Sequence, residues 1–315
     1  MSDQYLWDRT GPVDPEIERL ESLLAPLRHR APRPRHKQHA ALAAAAAVAI
    51  AAARLSHFAA APPVTEWRVA SVEGRALIGG SSARQDMPLR AGEVLRTAPG
   101  AQLALQDDAL GRIELGPDSE MRAAAQRRLA LDRGRLHALI WAPPRRFVLD
   151  TPSARAVDLG CEYTIEVSPA GEGLLTVSMG WVAFEYHGRE SFIPAGARCI
   201  TRLGAGPGIP VYEDSPPEFQ QALARFETGD TGALAAVLSV ARPRDGLTLW
   251  HLLTRASPRD RGAVFDRLAQ LVPLPAAASR ARVLRGDPDA IDLCWNALNL
   301  ESTGWWRGWE RSWPR

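Results

Sequence analysis

The stretch FVLDTPSARAVDLGCEYTIEV, residues 147–167, decides the fold, and its last seven residues carry the clearest pattern. In CEYTIEV, Cys161, Tyr163, Ile165 and Val167 alternate with Glu162, Thr164 and Glu166, so a strand here turns the first set to a core and the second to water. Upstream, the FVLD run enters a Thr-Pro turn before the second, longer strand begins. Working outward, short alternating runs recur between Trp67 and Glu213. WRVASV, QLALQ, GRIEL, RLALD, RLHALIWA and RRFVLD lie on one side, and LLTVSMG, WVAFEYH, ESFIPA and RCITRL on the other. Turn signals separate them at Pro99-Gly100, Asp132-Arg133-Gly134, Pro169 to Gly173, His187-Gly188 and Pro194-Ala195-Gly196. Residues 67–213 therefore read as an all-β domain, built as a sandwich, a jelly roll or a short solenoid.

After Pro216 the period becomes helical. PPEFQQALARFE, TGALAAVLSVA, LTLWHLLTRA, PRDRGAVFDRLAQLV and PDAIDLCWNAL predict about five helices, making residues 216–300 an all-α domain of antiparallel neighbours. Ser257, Pro258 and Asp260 form one helix start and Asp287 with Pro288 another. The tail, residues 301–315, holds Trp305, Trp306, Trp309 and Trp313 beside Arg307 and Arg311. Three readings of this tail stand together: docking into the helical domain, stacking against a glycan or protein partner, and seating at a membrane interface.

Before the strands, AALAAAAAVAIAAA (40–53) follows Arg28, Arg30, Arg33, Arg35 and Lys37. Extended to residues 39–61, it reaches roughly the 20 residues that a crossing needs, with Arg54, Ser56 and His57 in its outer third. The expectation is a transmembrane helix in a bacterial inner membrane, contacting lipid, with residues 1–38 cytoplasmic and the rest periplasmic; an Ala-rich soluble helix is the other reading. Within residues 1–38, Asp14 as N-cap, Pro15 at the first position and Glu16 and Glu18 in the first turn predict a short helix. Ile17, Leu20, Leu24 and Leu27 line one face of it, with Trp7 among the few nearby apolar residues, so the stripe calls for a partner.

The formal net charge of +2 gives no field that would favour nucleic acid. Three dispersed cysteines lack the spacing of a zinc site, and nothing implies a metal or cofactor. Cys161 and Cys199 are the candidates for a disulfide if their domain faces an oxidising space; the other reading is two small buried hydrophobes. No GxSxG, HExxH, P-loop or strand-to-helix GxGxxG is present, and a non-enzymatic chain is expected.

Residues 67 to 205 resemble the FecR family. The resemblance is carried by LRAGEVLRTAPGAQLALQD, GRIELGPDSEMR, LDRGRLHALIWAPPRRFVLDTPSARAVDLGCEYTIEV and GWVAFEYHGRESFIPAGARC, in that order. It implies a single-pass bacterial membrane protein with a β-rich extracytoplasmic domain. It also implies a regulator of extracytoplasmic-function sigma factors, whose cytoplasmic tail holds or assists the sigma factor while the outer domain receives a signal. The helix bearing Leu20 and Leu24 is then the sigma-factor contact. An envelope scaffold, binding a glycan or a neighbouring envelope protein through the β domain and tryptophan tail, is the alternative.

Overall fold

Alternation at period two sets the strands of the larger part of the chain. The computed structural model describes residues 15–25, 64–125 and 127–300, and the chain divides into two units, Met1–Ala61 and Pro62–Arg315. The second unit opens with β1 Val64–Glu73, β2 Ala76–Ile78, β3 Ser81–Ser82, β4 Pro88–Arg90, β5 Val94–Thr97, β6 Gln102–Asp107, β7 Gly111–Leu115 and β8 Glu120–Ala125. It continues with β9 Arg128–Ile140, β10 Val148–Asp150, β11 Arg155–Val167, β12 Gly173–Tyr186, β13 Arg189–Pro194, β14 Ala197–Arg202, β15 Gly206–Pro207 and β16 Val211–Tyr212.

Among the described residues, all sixteen strands belong to one hydrogen-bonded network. One half runs β4, β1, β6, β7 and then the later part of β9, residues 161–167 of β11, the start of β12, and β14. The other runs β3, β2, β5, β8, the start of β9, β10, residues 155–157 of β11, the end of β12, and β13. Three long strands thus serve both halves. Bulges and left-handed glycines let them bend: Gly134 in β9 has φ +99°, Gly160 in β11 +88° and Gly180 in β12 +70°. This is the corner-turning device of sheets whose strands pass from one layer to the next. The buried residues of both halves form one core, in which Trp67 meets Phe147 edge-on at 5.8 Å.

The expected fold class is corrected on three points. First, the β region is a continuous, mixed sheet rather than the separate sheets of a sandwich or jelly roll or the coils of a solenoid; β10 even runs parallel to β9. Second, the helices are not a separate all-α domain, because their buried faces join the core of the strands within Pro62–Arg315. Third, the transmembrane helix over 39–61 is not supported. Among the described residues no helix is long and apolar enough to cross a membrane, and 39–61 itself lies outside them. The 14-residue apolar run on which that expectation rested fell short of the roughly 20 residues required, and its extension had to absorb Arg54 and His57.

With α1 (Pro15–Leu24) in the first unit, the helices of the second are α2 Pro217–Glu227, α3 Ala233–Val240, α4 Gly246–Arg255, α5 Arg261–Leu271, α6 Arg280–Leu284 and α7 Pro288–Asn296. Five match the helical periodicity, whereas α6, at five residues, is too short to show a period. Their starts obey local chemistry. Asp287 accepts from the backbone N–H groups of Asp289 and Ala290, a cap worth about 1 kcal/mol. Ser257 Oγ donates to Asp260 Oδ2 at 2.7 Å just before α5.

The position of the helices follows from the edge of the sheet. β13 pairs with β12 alone, which leaves its other side with open backbone groups. Helix α4 covers that side: His251 Nε2 accepts from the Phe192 N–H at 3.0 Å, and Arg255 donates to the Glu190 carbonyl at 2.6 Å. His251 Nδ1 donates to the Leu247 carbonyl at 2.9 Å, which fixes the neutral tautomer. Trp250, Trp295, Trp181 and Phe192 pack around this joint, with Trp250 and Trp295 centroids 4.7 Å apart. Burial first, and the nearby Arg255 second, depress the His251 pKa to about 3. Its folded value lies below the unfolded one, so this group removes stability as pH falls from about 6.5 towards 3. His251→Leu is expected to cost about 2 kcal/mol at pH 7 by orphaning the Phe192 N–H. In urea titrations the gap to wild type should narrow as pH falls from 6.5 to 4; a gap independent of pH would refute a buried neutral His251.

Candidate functional site

Helix α1 follows from Pro15 at its first position and two glutamates in its first turn. It is ten residues long, and Ser22 Oγ donates to the Arg19 carbonyl at 2.8 Å. Leu20, Leu23 and Leu24 are 56%, 68% and 55% exposed. The expected stripe therefore includes Leu20 and Leu24, and Leu23 widens it. Leu23 was readable from the start, three residues past Leu20 on the same flank, but a strict step through Leu20 and Leu24 passes over it. The Ile17 side chain, Leu27 and Trp7 lie outside the described residues, as do Trp305, Trp306, Trp309 and Trp313. Glu16, Glu18, Arg19 and Glu21 surround the leucines with exposed, mainly negative charge.

The cysteine pair is not joined. Cys161, Cys199 and Cys294 are all free and buried. Cys161 pairs across to Gly180, on one side of β12, while Cys199 pairs with Leu175 on its other side. A strand thus lies between β11 and β14, and two strand spacings are about 10 Å, beyond the reach of a disulfide. Each thiol is occupied locally: Cys161 donates to Asp158, and Cys199 to the Gly208 carbonyl at 3.4 Å. Burial pushes the thiol of Cys161 up, that of Cys199 to about 12 and that of Cys294 to about 11, which leaves no thiolate for nucleophilic chemistry.

Other groups with chemical potential are engaged in structure. Ser191, within GRESF, is buried, donates to the Gly208 carbonyl at 2.7 Å and accepts from Arg255. Glu114 pairs with Arg112 at 3.0 Å, and Glu120 with Arg96 at 2.8 Å and Arg133 at 3.3 Å. His137 meets Glu162 at 3.1 Å on the outer face of the sheet. Among the described residues no group of three or more His, Cys, Asp or Glu side chains could hold a metal ion.

A buried acid escaped the sequence pattern. Asp158 is 1% exposed, in the bulge where β11 leaves β10 for β9. Its Oδ1 accepts from the Gly160 N–H at 2.8 Å and its Oδ2 from Cys161. Burial, opposed by those two hydrogen bonds, raises its pKa to about 7.

No family model matches the chain, and no curated protein matches it. Among solved structures it is similar to two crystal structures of a candidate anti-sigma factor from Parabacteroides distasonis ATCC 8503, at 1.65 and 2.50 Å resolution. Each has a TM-score of 0.33 and 13% sequence identity, covering 42% of this chain and 64% of that one. The chain thus spans under two thirds of the neighbour's length, and at this likeness the neighbour's role stays with the neighbour.

Proposed function

We propose that the chain is a non-enzymatic regulator of the FecR type that captures a sigma factor through α1, with the unit Pro62–Arg315 receiving the signal. One observation carries this reading: three leucines stand exposed side by side on a ten-residue helix. A helix of that length is marginal alone in water, and each leucine gains about 1.5–3 kcal/mol when it is buried. Such a face is a partner-binding element of the helix-in-groove kind. The resemblance of residues 67–205 to FecR proteins supplies the class of partner. Regulation then requires two states of the chain with different affinity for that partner.

The test is capture by the tagged full chain from its native host. Wild type is expected to retain a sigma factor, while Leu20→Asp and Leu24→Asp reduce capture at least tenfold and leave the melting of Pro62–Arg315 unchanged. Undiminished capture by both variants rejects α1 as the contact. Recovery of no sigma factor by wild type rejects the partner class.

A further inference from the structure

Helix α7 ends in a left-handed turn. The Leu298 N–H donates to the Trp295 carbonyl at 2.9 Å, and Asn299 follows at φ +54°, a region that asparagine enters more readily than most side chains. Leu298 packs onto the start of α4. A Cβ on Gly246 would lie 2.8 Å from Leu298 Cδ2 and 3.5 Å from Val272 Cγ2, so the bare backbone there lets α4, the end of α5 and the end of α7 converge.

The convergence leaves a groove of about 460 Å³. Of its lining, Leu247 and Val272 are buried, whereas Leu271, Ala297, Leu298 and Leu300 are only half-buried. Arg244 is the one charged residue among the described lining residues. Its charge is already met by Asp214 at 2.6 Å, and its guanidinium lies over the Tyr212 ring, 4.3 Å from the centroid. An apolar trough with a stacked guanidinium and no uncompensated charge suits an aromatic side chain rather than an ion.

The chain supplies that chemistry next to the groove. Leu300 belongs to the lining, and residues 301–315 continue from it with Trp305, Trp306, Trp309 and Trp313. Trp305 is five residues on, a span of at most about 18 Å. So short a tether holds an indole at roughly millimolar effective concentration, where a weak apolar contact is enough for occupancy. We propose that residues 301–315 dock in this groove of their own chain, anchored by the Trp305-Trp306 pair. Burying one indole removes about 150–250 Å² of its surface from water, and the face of Arg244 away from Tyr212 provides a cation–π contact. Groove and tail both belong to Pro62–Arg315, and the docking is independent of what α1 captures.

Fluorine NMR of the full chain, labelled with 5-fluorotryptophan, tests it, with Trp305→Phe and Trp306→Phe assigning the two resonances. An exposed fluorine shifts when water is exchanged for D2O, and a buried one does not. Trp305 or Trp306 is expected to behave like the buried Trp67 and Trp181, and unlike Trp141, which is 50% exposed. Pro273→Arg, at an exposed position of the lining, and Ala297→Arg, at a half-buried one, should each release the indole and raise its solvent shift to that of Trp141. Trp67 and Trp181 report whether the fold is intact, and Pro273→Arg decides if Ala297→Arg disturbs them. Full exposure of both indoles in wild type overturns the proposal, including the case where protection comes only with phosphatidylglycerol vesicles. So does protection that survives both groove variants. Protection lost on tenfold dilution also overturns it, by assigning the indoles to a second copy.

Discussion

Gly180→Ala is expected to lower the stability of the Pro62–Arg315 unit by about 2–5 kcal/mol, the sum of a left-handed backbone and an overpacked contact. Gly180 has φ +70°, and a Cβ placed on it would lie 1.8 Å from the Gly160 carbonyl oxygen and 3.1 Å from the Cys161 Cα. Those atoms are backbone, held by the pairing of β11 with β12, so no side chain can swing aside. Relief would require the two strands to part where both turn from one half of the sheet to the other. Against the 5–15 kcal/mol that typically holds a domain, this is a large fraction. Gly188→Ala provides the comparison, since Gly188 also has positive φ, +78°, but faces open space. Urea unfolding should place Gly188→Ala within about 1–2 kcal/mol of wild type, the backbone cost alone, with Gly180→Ala well below it. Equal midpoints for the two would show that the Gly160–Gly180 contact is soft.

The same glycines explain what the amino-acid pattern concealed. RLALD and RLHALI read as two strands around Asp132-Arg133-Gly134, and LLTVSMG and WVAFEYH as two more, yet β9 and β12 each run through. Locally, a glycine that ends a strand and one that bends it look alike. The difference lies in partners far along the chain, such as Ser119, which Gly134 packs against, and Gly160 opposite Gly180. Helix starts were legible because their chemistry is local, as Asp287 shows with its own helix N–H groups. Alternation correctly sent Cys161 inward, but it holds no register, and β12 lies between Cys161 and Cys199. The cross-strand row of Asp150, Arg155, Glu185 and Glu190 draws on four strands and has no signature in any one of them. Of the candidate partner face, the leucines were readable and their exposure was not.

Asp158 was hidden for a related reason, and its replacement should have the second large effect, in the opposite direction. Strict alternation back from Cys161 makes Asp158 an outward residue, but the bulge at residues 158–160 turns it inward, where it is 1% exposed. Among the described residues no cation contributes to its charge balance; the groups coupled to it are the neighbouring Cys161 and Tyr163, both buried. Its pKa of about 7 lies above the ordinary 3.8, so the folded state binds the proton more tightly than the unfolded chain. Stability from this group is therefore fully present below about pH 3.8 and is lost as pH rises to about 7. Three pKa units correspond to about 4 kcal/mol, of which about 2 kcal/mol is expected in practice once relaxation around the charge is allowed. Asp158→Asn keeps an oxygen for the Gly160 N–H, presents an N–H to the Cys161 sulfur, and removes the charge. At pH 8 the variant should be about 2 kcal/mol more stable than wild type, while at pH 4 the two should nearly coincide. Taking the difference between the two proteins at each pH cancels the surface carboxylates, which pull the other way in both. A difference that stays flat from pH 4 to 8 would mean that Asp158 reaches solvent and ionises freely, and the bulge of β11 would then have to be more open than its hydrogen bonds indicate.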